Sequence, residues 1–102
     1  MNSVKGSNNS LNGNKNLLAG SGNAVSGDNN GVGGDSNTVK GSSNLVLGDK
    51  NALLNASNNQ VVGSTNTISN GNNNIIEGSS NLVSGDSNKM KTDNSSVNGN
   101  KN

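Results

Sequence analysis

The apolar residues of this chain keep a beat of seven. Val4, Leu11, Leu18, Val25, Val32, Val39, Val46, Leu53, Val61, Ile68, Ile76, Val83, Met90 and Val97 mark it. Asn stands two residues before each beat, and Ser95 takes its place at the last step. Gly stands two residues after, replaced by Asn55, Asn70 and Thr92. The phrase is x-x-N-x-V-x-G, and a fixed period of this kind sets the architecture. A coiled coil would need two apolar positions per heptad, and here there is one. Gly also recurs where helix propensity is poorest. β-Branched residues on the beat, with Gly and Asn between them, predict short strands joined by tight turns.

Alternation along such a strand puts Asn, Val and Gly on one side and the two intervening residues on the other. The aliphatic residue points inward. Asn9, Asn16, Asn23, Asn30, Asn37, Asn44, Asn51, Asn59, Asn66, Asn74, Asn81 and Asn88 also point inward, near the corners, where they are expected to form a structural ladder of amides. Two steps are eight residues long, Leu53 to Val61 and Ile68 to Ile76, and they lie one pair of repeats apart. A corner can absorb an extra residue, whereas a strand cannot without exchanging its faces. Both insertions share a corner only if two repeats make one turn. The prediction is an all-β parallel β-roll, a β-solenoid of about seven coils of 14–15 residues. Each coil has two strands, and residues 1–102 form a single domain.

Composition changes this picture little. So much Asn, Ser and Gly would by itself suggest a flexible polar segment, but such a segment has no register. The chain has seven Lys and six acids, scattered singly, and no aromatic residue. A nucleic-acid footprint needs a clustered basic face and usually stacking aromatics, so no nucleic-acid partner is expected. No apolar run is long enough for a membrane span, and no membrane partner is expected either. With no Cys there is no disulfide or thiolate-metal chemistry.

The outward residues form two surfaces. Face A carries Ser3/Lys5, Leu17/Ala19, Gly31/Gly33, Leu45/Leu47, Gln60/Val62, Ile75/Glu77 and Lys89/Lys91. Face B carries Ser10/Asn12, Ala24/Ser26, Thr38/Lys40, Ala52/Leu54, Thr67/Ser69, Leu82/Ser84 and Ser96/Asn98. Face A is uneven, bulky in the middle and charged at its ends. Face B is mostly small and uncharged and should be flat.

The triplet N-x-V-x-G, carried through almost the whole chain, resembles the ice-binding, ice-recrystallisation-inhibition proteins of cold-tolerant grasses, the perennial ryegrass antifreeze type. The resemblance implies a left-handed roll with inward Val and an Asn ladder. It further implies an apoplastic, secreted location and adsorption to an ice surface through a flat strand face. Carried onto this chain, the ice-binding residues are expected on face B: Ser10, Ala24, Ser26, Thr38, Ala52, Thr67, Ser69, Ser84 and Ser96. The coil length is also similar to the head repeats of trimeric autotransporter adhesins. That second resemblance implies a structural or adhesive β-roll, such as a head segment, and a self-assembling solenoid filament is the related alternative. Open β-edges on the terminal coils invite pairing, so self-association is expected through the solenoid ends or through Leu17, Leu45, Leu47, Val62 and Ile75 on face A.

Catalytic chemistry is not expected. Without His or Cys the common bases and thiol nucleophiles are missing. Asp28, Asp35, Asp49, Asp86 and Asp93 follow Gly or lie close behind it and should sit exposed at corners. A calcium-binding roll places an acid in nearly every loop, as in G-G-x-G-x-D. Gly33-Gly34-Asp35 is one fragment of that pattern, so neither a metal nor any other cofactor is expected. The Gly-rich stretches serve turns, since none joins a strand to a helix as a phosphate loop does.

Overall fold

The computed structural model describes all 102 residues as a two-sided stack of coils without a helix. One parallel sheet holds β1 (Ser3–Lys5), β3 (Leu17–Ala19), β5 (Gly31–Gly33), β7 (Leu45–Leu47), β9 (Gln60–Val62), β11 (Ile75–Glu77) and β13 (Lys89–Lys91), in that order. The other holds β2 (Ser10–Asn12), β4 (Ala24–Ser26), β6 (Thr38–Lys40), β8 (Ala52–Leu54), β10 (Thr67–Ser69), β12 (Leu82–Ser84) and β14 (Ser96–Asn98). Odd strands make face A and even strands face B, as the alternation predicts. Each strand pairs with the strand two further along the chain, residue for residue: Val32 lies over Leu18, and Val46 over Val32. The rod measures 35 × 20 × 14 Å.

Every strand is three residues long, so its middle residue alone points inward. From Leu18 to Met90 these middle residues are buried, and with Ala56 they form one core. Val4, Leu11 and Val97 belong to the end coils, which are covered from one side only. Val4 is accordingly 49% exposed, and Leu11 and Val97 are partly buried.

So thin a core leaves the corners to hold the coils together. Of 60 backbone hydrogen bonds, 36 lie outside the strands, and most of these join one coil to the next. Each inner Asn adds to them. Asn37 donates from Nδ2 to the Gly48 carbonyl at 2.7 Å and to Asn23 Oδ1 at 3.1 Å, while its own Oδ1 accepts the Asn51 N–H at 2.9 Å. All twelve predicted ladder residues make the carbonyl bond and accept the backbone N–H from the following coil. Asn2 does the same at the first coil.

A second ladder, which the repeat phrase does not announce, runs outside the first. The residue after the glycine site is Ser, Asn or Asp, and from Asp28 onward its side chain accepts a backbone N–H from the coil before it. Asp35 Oδ1 takes the Ser21 N–H at 2.7 Å, and Asp49 Oδ1 takes the Asp35 N–H at 2.8 Å. The five Asp do sit at corners, where their charge stays in water while one oxygen serves the backbone. The inner ladder therefore reaches toward the C-terminal end and the outer ladder toward the N-terminal end.

Glycine on its beat answers to crowding. A Cβ on Gly34, at φ +118°, would lie 2.1 Å from the Gly48 carbonyl oxygen of the next coil. Asn55 and Asn70 do not stand in for it, which corrects the sequence reading. They are the inserted residues, stacked on one corner and joined by a 3.2 Å bond from Asn55 Nδ2 to Asn70 Oδ1. Their left-handed backbone (φ 52° and 51°) takes up the turn. The next residues, Ala56 and Gly71, then occupy the glycine site without positive φ, and their carbonyls accept from Asn44 and Asn59. Thr92 does hold the glycine site, its carbonyl accepting from Asn81.

The residue just before each inner Asn is also left-handed. Only Gly22 among these is glycine; Lys15, Ser36, Lys50, Thr65 and the others adopt φ between 55° and 61°. A β-branched residue pays most for that conformation. Thr65→Asn should therefore stabilise the chain by about 1 kcal/mol and raise the thermal midpoint by several degrees; a lower midpoint would contradict the assignment. A second test concerns the core. Val39→Asp places a carboxylate among buried aliphatics, so it should cost several kcal/mol and abolish the cooperative transition. Lys40→Asp, one residue on, should change stability by less than about 0.5 kcal/mol. Equal melts for the two variants would overturn the inward and outward assignment.

Candidate binding face

Residue-for-residue stacking turns each sheet into two straight rows of side chains. Neighbours along a row are about 4.8 Å apart, and the rows are separated by two residues of strand, about 6.6 Å. The ladders keep those spacings regular, because each coil is held to the next by bonds of repeated geometry.

On face B the first row is Ser10, Ala24, Thr38, Ala52, Thr67, Leu82 and Ser96. The second is Asn12, Ser26, Lys40, Leu54, Ser69, Ser84 and Asn98. All nine residues predicted for this face lie on it, six in the first row and three in the second. Thr38, Ala52, Thr67, Ser69 and Ser84 are half-buried against their neighbours; Ser10, Ala24, Ser26 and Ser96 are exposed. From Ser10 to Thr67 the first row carries nothing larger than Thr, a level strip about 19 Å long. Leu82, 49% exposed, ends it. Lys40 and Leu54 rise from the second row, and Lys40 is the one charge on the face.

Face A has a different relief. Five large apolar side chains project from it: Leu17, Leu45, Leu47, Val62 and Ile75. Gly31 and Gly33 on β5 leave a gap beside them, an apolar groove of about 170 Å³ between Leu17 and Ala19 on one side and Leu45 and Leu47 on the other. Charges gather toward the ends, with Lys5 on β1, Glu77 on β11, and Lys89 and Lys91 on β13. Lys91 Nζ stands 3.5 Å from Glu77 Oε1. That pair is exposed and contributes at most about 1 kcal/mol.

No three acidic, His or Cys side chains gather where they could hold a metal ion. The acids accept backbone N–H groups one at a time along the outer ladder. Every buried side-chain polar atom has a hydrogen-bond partner, so the interior holds no polar group aimed at a ligand. What the molecule offers is two surfaces, one level and weakly polar, the other ridged and apolar. Comparison with known proteins finds no family model that matches this chain, and no curated protein matches it.

Proposed function

We propose that this protein binds ice through face B and inhibits recrystallisation by adsorption. A crystal is a rigid and repetitive ligand, so its receptor must be rigid and repetitive too. The observation that carries the reading is the level first row, Ser10 to Thr67, held at a constant spacing by ladders on both flanks. Hydroxyls at Ser10, Thr38 and Thr67 alternate there with the methyls of Ala24 and Ala52. Water ordered over such a strip can join a lattice plane. Growth then stops between adsorbed molecules, where the ice front must curve. Face A supports this less well, because Leu45, Leu47 and Ile75 stand proud beside the glycine groove and cannot make one plane. The ice-binding reading carries with it a secreted protein, and no catalytic step is assigned to any residue.

The second reading is a structural or adhesive β-roll, favoured by the five exposed aliphatic side chains of face A. Annealing the protein with fine-grained ice separates the two. Thr67→Tyr on face B and Gln60→Tyr on face A are matched variants, both tolerable to a strand. The first should cut inhibition of grain growth severalfold and the second should leave it unchanged. The opposite result moves the site to face A. An unmodified protein without activity removes ice binding and promotes the structural reading.

A further inference from the structure

We propose that face A is a self-complementary surface on which two copies of this chain pair with their long axes antiparallel. The ridge of Leu45 and Leu47 on β7 lies beside the groove left by Gly31 and Gly33 on β5. A two-fold axis parallel to the strands and midway between β5 and β7 sets each copy's ridge over the other's groove. Strand direction is preserved by that operation, so first-row residues meet first-row residues. Gly31 then faces the partner's Leu45, and Gly33 faces the partner's Leu47. Moving outward, Ala19 faces the partner's Val62 and Ser3 faces the partner's Ile75. Leu17 faces the partner's Gln60, the one pairing of two long uncharged side chains.

Charge agrees with shape. Lys5 on β1 comes to face the partner's Glu77 on β11, at both ends of the pair. Lys89 and Lys91 on β13 overhang and meet no cation. The other arrangements fail on one count or both. With the axis along the rod, each strand faces its own copy, Leu45 collides with the partner's Leu47, and Lys89 confronts the partner's Lys91. Shifting the two-fold onto β7 sets leucines against leucines and Lys5 against the partner's Lys91. Shifting it onto β5 sets glycines against glycines.

The face is small, a 35 × 20 Å profile from which β13 overhangs, and we expect a transient pair that forms in roughly the micromolar to millimolar range. It rests on face A alone and holds whether or not face B binds ice.

Sedimentation velocity of the full chain, from micromolar to millimolar concentration, tests this directly. The expected result is a compact side-by-side dimer. A rod about twice the 35 Å length would signal end-to-end pairing of open strand edges and overturn the proposal, as would a strict monomer. Gly33→Val fills the groove, and Leu47→Ala removes half the ridge. Each should weaken the dimer at least tenfold while the thermal melt shows the coil intact. If Gly33→Val fails to fold, Leu47→Ala still decides. Lys5→Glu and Glu77→Lys should each weaken pairing, and the double exchange should restore it. Register is read by mixing Ala19→Cys protein with Val62→Cys protein under oxidation. A mixed disulfide dimer is expected, and its absence at concentrations where the dimer forms would overturn this geometry.

Discussion

The inner asparagine amide is the contact on which the rest of this molecule depends. Eleven Asn side chains are buried in a chain with only twelve buried apolar residues. An amide buried without partners costs roughly 1–3 kcal/mol on protein scales, so these amides are affordable only because each is satisfied by the coil above or below. Remove one coil and the amides of its neighbour lose their carbonyl. Stability is thereby shared between neighbours along the rod, as in other stacked repeats, with polar contacts in a role that larger domains give to apolar volume. The outer ladder secures the backbone from the opposite direction, and together the two leave the corners as constrained as the strands.

That constraint explains how strands of three residues can present ordered surfaces. An isolated strand of this length has too few bonds to fix its register. Here the register is settled at the corners, before and after each strand, and the outward side chains inherit it. They are then free to vary, because neither Leu47 nor Ser84 is asked to hold the fold. Two unlike faces can in this way share one framework: a level strip of Ser, Ala and Thr on one side, and a ridge and groove on the other.

Much of this was legible in the sequence. The beat at Val4 through Val97, the Asn two residues before it and the two eight-residue steps led to the coil length, the inward residues and the membership of both faces. Legibility failed where several residue types meet one demand. The position before each inner Asn is left-handed, yet Asn, Ser, Lys, Thr and Gly all fill it, so no single letter marks it. The absence of aliphatic residues there was the available signal. The outer ladder was hidden likewise, because Ser, Asn and Asp all serve as its acceptors. At Asn55 and Asn70 the alignment of letters misled: glycine's place is defined by a carbonyl position, and an inserted left-handed residue hands that place to Ala56 and Gly71. Which face meets which ligand depends on relief and on the ligand's own form, and period alone does not encode either.

Because successive strands alternate between sheets, the faces also have a parity. Loss or gain of one seven-residue phrase would carry every later strand to the opposite side. Beyond the breakpoint Leu45 and Leu47 would join the level strip, and Thr67 would join the ridge, though the core and both ladders would survive unchanged. A gene for such a rod can lengthen or shorten safely only by whole coils. The heritable unit is therefore the two-phrase turn, and the seven-residue phrase that the eye finds first is half of it.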